Sequence, residues 1–370
     1  MMEKIMMWRN VLKRINYFSD MYPMSTILKE AIFFPLDYLR PDTDITTVRN
    51  VTLSITHRCN IKCSMCFYHL NLHDAKEMNL ETFKKIIQQV HKTKPGIILT
   101  GGEPFMHKNL VEFVKYAKSF NLPVQIFTNG TLMKPEVLHQ LFDAKLDYLN
   151  ITVLGNKEVH DTVAQVKGSY DRLVKNLEYA SQIKASTKII LNYSITPESV
   201  ETLDEPIKLA NQYNCEGVRY QHYNFLTTKE LASQKAIMNK EMGTDDSQTN
   251  DVEQNNNINK MGGKLKTFIN ELNKKNEKLP IQWAPTLSNA EIDTWYVNSG
   301  FKSNRKCLFP WRGLQVEYDG SFNPCSKIYH NLGNVNDKGV FEVWNTKNMK
   351  LFRQKLKKKP FPACSRCCKL

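Results

Sequence analysis

Between residues 51 and 221, short apolar runs alternate with longer stretches whose apolar positions recur every three or four residues. The runs are Val51–Thr56, Ile97–Thr100, Val124–Thr128, Tyr148–Val153, Lys188–Ile195 and Gly217–Gln221. Their length and β-branched content predict strands. The 3.6-residue period predicts helices near Asn79–Lys92, Asn109–Phe120, Pro135–Phe142, Tyr170–Lys184 and Val200–Tyr213. Pro135 heads its stretch, where a first-turn proline loses no helical hydrogen bond. Six strands alternating with five helical stretches predict an α/β fold with a parallel sheet, and six units in place of eight predict a partial (β/α)6 TIM-like barrel.

Outside this region the pattern changes. Residues 242–261 are too rich in Asn, Asp, Ser, Thr and Gln to pack and read as a loop or linker. Lys264–Lys275 then sets Leu265, Phe268, Ile269 and Leu272 on one face, as a closing helix does. Further on, Val316–Phe322 reads as a hairpin around an Asp319-Gly320 turn. The chain therefore divides into an N-terminal helical extension (1–46), a β/α core (47–235), a polar linker with its closing helix (236–300) and a small C-terminal α+β module (301–370).

The chemistry gathers in the cysteines. Cys59, Cys63 and Cys66 lie within eight residues, directly after the first strand. A disulfide would pair two of them and strand the third, whereas three thiolates can hold three irons of a cubane and leave the fourth open. A zinc site or a redox loop is the competing reading. Cys307, Cys325, Cys364, Cys367 and Cys368 form a second set near the C-terminus, where tetrathiolate zinc needs the same four ligands as an iron-sulfur centre. Cys215 stands apart and reads as a buried, hydrophobe-like thiol. Clustered cysteines without a disulfide framework fit a reducing cytoplasm.

The C-x3-C-x2-C run, followed by Thr100-Gly101-Gly102-Glu103-Pro104 after the second strand, resembles the radical S-adenosylmethionine (SAM) superfamily. The resemblance implies a [4Fe-4S] cluster on Cys59, Cys63 and Cys66 with an open iron site, SAM chelating that iron, and cleavage of SAM to a 5′-deoxyadenosyl radical. It places Gly101, Gly102, Glu103 and Pro104 at the methionyl amine, Met65 near the adenine in place of a usual aromatic, and Thr128 and Asn129 at a strand end facing the cofactor. Thr152 keeps a hydroxyl for the ribose where the family has serine. The family's arginine is replaced by Ala164, with Lys167 as a candidate substitute; Asn192, Ser194 and His222 stand at later strand ends, either contacting SAM or substrate or serving as satisfied structural polar groups. Cys307, Gly320 and Cys325 resemble the opening of a SPASM/twitch extension. This implies one auxiliary [4Fe-4S] cluster on Cys307, Cys325, Cys364 and Cys367, with Cys368 spare or replacing Cys367.

Charge widens the list of partners. The formal net charge is +14, from 51 Lys and Arg against 37 Asp and Glu, which attracts anionic partners: an acidic peptide, a small polar or anionic metabolite, or an acidic electron donor of the flavodoxin or ferredoxin type. No RNA-recognition or zinc-finger spacing converts that charge into nucleic-acid binding. No apolar run approaches the roughly 18 residues of a membrane span. Trp8, Leu12, Ile15 and Tyr17, interleaved with Lys4, Arg9, Lys13 and Arg14, form a basic amphipathic pattern suited to packing on the barrel or to peripheral membrane contact. The favoured expectation is hydrogen abstraction from a peptide, with a sugar or aminocyclitol as the alternative substrate; a metal-stabilised protein binding nucleic acid or a membrane surface is the rival of another class.

Overall fold

A computed structural model describes residues 36–66, 76–244, 258–275, 277–297, 301 and 305–369. The basic pattern around Trp8 to Tyr17 and most of the polar stretch 242–261 lie outside the described residues. The six apolar runs form β1 (Asn50–Thr56), β2 (Gly96–Gly101), β3 (Val124–Thr128), β4 (Tyr148–Val153), β5 (Lys188–Ser194) and β6 (Gly217–Gln221). They lie side by side in chain order, every neighbouring pair parallel. Helices α1 (Leu80–Val90), α2 (Leu110–Ser119), α3 (Pro135–Asp143), α4 (Lys157–Ala164), α5 (Ser169–Ile183) and α6 (Glu205–Gln212) occupy the crossovers.

Local chemistry explains these boundaries. Asn79 caps α1 by accepting from the Thr82 amide at 2.7 Å, and the buried Phe83, Ile86, Ile87 and Val90 then repeat at helical spacing. Each side chain of that size contributes roughly 1.5–3 kcal/mol when removed from water. Val51, Leu53 and Ile55 of β1, with Ile97 and Leu99 of β2, are fully buried between sheet and helices. Helix α4 was not among the elements expected: eight residues give little periodicity, and its start is set by Asn156, which accepts from the Val159 amide at 3.1 Å.

The sheet is also longer than six strands. On one edge β7 (Ile281–Ala284), from the segment read as linker and closing helix, pairs parallel with β6. On the other, β8 (Gly313–Val316) pairs parallel with β1, and β9 (Phe322–Asn323) pairs antiparallel with β8. The Asp319-Gly320 turn joins this last pair, with Gly320 at φ +84°. The C-terminal module is thus built onto the strand that carries Cys59, Cys63 and Cys66 at its exit.

A buried ion pair fixes the chain's last residues to the core. Helix α7 (Thr228–Ile237) begins with a capping box between Thr227 and Glu230. Arg366, 2% exposed, donates to both Glu230 oxygens at 2.9 and 2.8 Å and to the Trp295 carbonyl at 2.8 Å. Its guanidinium lies 4.2 Å from the Phe225 ring centre. Because Nη1 meets both carboxylate oxygens and Nε the Trp295 carbonyl, the buried charge is compensated, and this pair sets the position of Cys364 and Cys367 on either side of it. No helix among the described residues is long and apolar enough to cross a membrane.

Candidate functional site

The C-terminal ends of β1 to β6 surround a cavity of about 270 Å³. Its wall includes Cys59, Cys63, Met65 and Cys66 from the loop after β1, Gly101 and Gly102 from β2, and Thr128 and Asn129 from β3. Thr152, Ser194 and His222 continue it around the later strands. Sequence reasoning named all of these, and the topology brings them together because parallel β/α units deliver every strand exit to one end. Asn192 is turned instead into a row of amides within the sheet, donating to Asn150 Oδ1 at 3.5 Å, while Asn150 donates to Gln125 at 3.4 Å.

The cysteine loop is held by backbone contacts. Lys62 and Ser64 donate their amides to Ala164 and Val163 at the end of α4, at 3.1 and 2.9 Å. Gly102 donates to the Thr56 carbonyl and Glu103 to the Arg58 carbonyl, both at 2.7 Å. A Cβ on Gly102 would stand 2.1 Å from the Arg58 oxygen, and one on Gly101, whose φ is +123°, 2.3 Å from the Thr56 oxygen. The paired glycines are therefore required by the close approach of the chain's own loop.

Glu103 and Pro104 stand behind the cavity wall. Glu103 is fully buried, and its carboxylate accepts from the Thr128 hydroxyl at 2.7 Å, the Asn129 amide at 2.7 Å and the Phe105 amide at 3.0 Å. With its oxygens so engaged, it ties the exit of β2 to that of β3 and leaves little to offer a ligand amine. Burial raises this carboxyl from its ordinary 4.5 to about 6. An acid raised on folding loses stabilisation as pH rises from the unfolded to the folded pKa. Relative to Glu103→Gln, the wild type is expected to lose about 2 kcal/mol of stability between pH about 4 and about 7. Denaturant midpoints of the two proteins across that range check this; parallel profiles would contradict it.

Two polar residues beside Cys59, Asn60 and Thr131, were not among the expected site residues, and both bond to Asn129, which was. Asn129 donates to Asn60 at 2.9 Å, its carbonyl oxygen accepts from the Thr131 hydroxyl, and Asn60 donates to that hydroxyl at 2.8 Å. Asn60 lies inside the cysteine run, which was the available signal. Burial pushes the Cys59 thiol up to about 11 and the Cys63 thiol higher still. Such thiols ionise only with a cation to compensate. Among the described residues no three His, Cys, Asp or Glu side chains converge on a single ion. The three thiols border a common space, an arrangement that fits a cluster in which each thiolate takes its own iron. His160 and His222, lowered by burial to about 4 and about 3, are neutral walls. Ala164 is buried in a small apolar group with Ile61, Leu154 and Val163, against which Met65 packs. Lys167 is exposed and absent from the cavity wall, so it does not supply the missing arginine's charge there.

The second cysteine set borders a smaller cavity lined by Cys307, Cys325, Cys364, Cys367 and Lys369. Cys368 lies outside that lining; its thiol is lowered to about 5, first by its hydrogen bond with Cys367 and then by Arg219, Lys369 and Lys327. Lys327 lines both cavities. At the root of the first loop His57 approaches Glu317 at 3.6 Å, and Gln315 donates to Ser54 at 3.1 Å, so buried polar contacts join β1 to the module.

A family model described as the radical SAM superfamily matches residues 53–210, and one described as an iron-sulfur cluster-binding domain, SPASM, matches residues 307–368. Fe-coproporphyrin III synthase of Methanosarcina barkeri is 27% identical over 46% of this chain and 43% of its own length. Mycofactocin maturase MftC of Mycolicibacterium smegmatis is 31% identical over 44% and 42%. The matched stretch thus spans less than half the length of these curated relatives. In fold, the chain resembles Streptococcus suis SuiB bound to precursor peptide SuiA, with a TM-score of 0.63 at 13% identity, covering 84% of this chain and 68% of that one. The matched segments coincide with the sheet that carries the first cysteine loop and with the module that carries the second set, and the chain is accordingly a member of the radical SAM superfamily with a C-terminal SPASM iron-sulfur domain.

Proposed function

We propose that this protein is an enzyme that cleaves SAM reductively and abstracts a hydrogen atom from a peptide. The observation that carries the reading is the convergence of three thiols, a glycine-lined strand exit and the polar ends of β3 to β6 on one cavity. Cys59, Cys63 and Cys66 would hold a [4Fe-4S] cluster with an open iron, which together with bound SAM supplies a 5′-deoxyadenosyl radical. The chain's own part is to position and to exclude. Gly101 and Gly102 bring backbone to the cavity wall, Thr152 offers a hydroxyl along it, and Thr128 and Asn129, bonded to Glu103, hold the neighbouring strand exit in place. Met65, Ile61 and Leu154 give it an apolar flank that keeps water from a reactive carbon centre. Cys307, Cys325, Cys364 and Cys367 would hold one auxiliary [4Fe-4S] cluster, with all four ligands from protein and a role in electron transfer or structural closure.

A peptide substrate is supported by the maturase among the relatives and by the precursor peptide in the SuiB structure. A small anionic metabolite is the second reading, favoured by Lys327 on a wall otherwise made of neutral groups among the described residues. Anaerobic reconstitution with iron and sulfide, followed by dithionite and SAM, tests the activity. Dithionite-dependent release of 5′-deoxyadenosine is expected, and its absence from iron-loaded protein would favour the metal-stabilised binding protein. Incubation with cysteine-bearing precursor peptides, read by mass spectrometry for the loss of hydrogen, tests the substrate class.

A further inference from the structure

The module's surface beside Cys307 combines charge and apolar exposure. The ammonium groups of Lys306 and Lys357 lie 5.6 and 5.5 Å from the centre of one ring, Tyr38, and Lys357 also donates to the Leu39 carbonyl at 2.9 Å. Lys369 lies 3.5 Å from the Phe309 ring centre, two residues beyond Cys307. Of the acids nearby, Asp37 pairs with Arg312 at 2.8 Å, Asp44 with Lys350 at 2.6 Å and Glu241 with Lys355 at 2.7 Å, while Asp42 is exposed. Leu36, Leu39 and Leu308 are 51%, 63% and 41% exposed, three of the four large apolar residues so exposed among the described residues. They belong to the same two segments as Tyr38 and Lys306.

We propose that this face docks an acidic one-electron carrier protein, with Lys306 and Lys357 meeting its carboxylates and Leu36, Leu39 and Leu308 forming the apolar centre of the contact. Basic residues around an apolar patch are how a transient redox interface achieves steering without tight binding. The position favours a redox partner over other polyanions, because Cys307 lies between Lys306 and Leu308 and also lines the second cysteine cavity. The carrier gives up one electron and the enzyme takes up one; neither a nucleic acid nor a lipid surface supplies that. The proposal rests on the radical SAM reading for its purpose but not for its measurement.

Reconstituted enzyme and a double variant, Lys306→Glu with Lys357→Glu, would be titrated with a flavodoxin in two states, oxidised for binding and hydroquinone for turnover. Lys274→Glu, an exposed charge change elsewhere, serves as the control. The expected result is an affinity for oxidised flavodoxin about tenfold weaker in the double variant at low salt, the difference closing as salt screens the charges. Flavodoxin-driven release of 5′-deoxyadenosine should fall with it, while dithionite-driven release stays at the wild-type level. Equal affinities in wild type and double variant, or no binding by either, would overturn the docking face. So would loss of binding to anionic vesicles or duplex DNA with flavodoxin binding intact. Failure of dithionite-driven release in the wild type would instead remove the proposed activity and leave the binding result standing.

Discussion

Gly102→Ala is expected to empty the N-terminal cysteine site while the C-terminal one stays loaded. The added Cβ would lie 2.1 Å from the Arg58 oxygen, 2.7 Å from the Arg58 carbonyl carbon and 3.1 Å from the His57 carbonyl carbon. All three are backbone atoms of the loop that carries Cys59, so no rotamer change relieves the overlap. The loop must move, and with it go the two 2.7 Å hydrogen bonds from Gly102 and Glu103 that fix its root. A displacement of about 1 Å at a reacting centre costs on the order of a hundredfold in rate. SAM cleavage should fall by at least about that factor, and iron should drop from about eight to about four per chain. Gly263→Ala, where nothing lies within 4 Å of the new Cβ, controls for the substitution itself. A Gly102→Ala protein that keeps about eight irons and wild-type cleavage would show that the loop is not held by this contact.

The same contact shows which parts of the site were legible in the chain. Apolar runs and helical periods placed β1 to β6 within a residue or so of their observed limits, because each strand carries at least one buried apolar face and so its own signal. β7 was not legible: four residues, three of them only half-buried, follow a proline and resemble loop. The parallel pairing of β8 with β1 joins residues more than 250 positions apart, and nothing local encodes it. The thiols and glycines could be read as a motif, since each residue type is demanded by chemistry at a fixed spacing. Glu103 could be read as part of that motif, but its orientation could not. Three donors from Thr128, Asn129 and Phe105 claim its carboxylate, and two of them come from the neighbouring strand's exit. Lys327 gave no signal at all, because its place on two cavity walls arises only when the module folds against the sheet.

Single cysteine replacements should separate the two proposed cluster sites completely. Cys63→Ala is expected to abolish 5′-deoxyadenosine formation and to leave about four irons, because a cubane held by two thiolates has lost an anchor while the module's ligands are untouched. In the module, Cys367 lines the cavity with Cys307, Cys325 and Cys364, whereas Cys368 lies beside it among Arg219, Lys327 and Lys369. Cys367→Ser should therefore reduce the iron content to about four with the first site's SAM-binding signature retained, and Cys368→Ser should keep about eight. Iron and sulfide analysis with Mössbauer spectra of each variant distinguishes the outcomes. The reverse ranking, with iron lost on replacing Cys368 and kept on replacing Cys367, would move the fourth ligand one residue along the chain. Loss of both clusters in Cys63→Ala would mean that the two sites fold as a single unit through the buried contacts of His57, Glu317, Gln315 and Ser54.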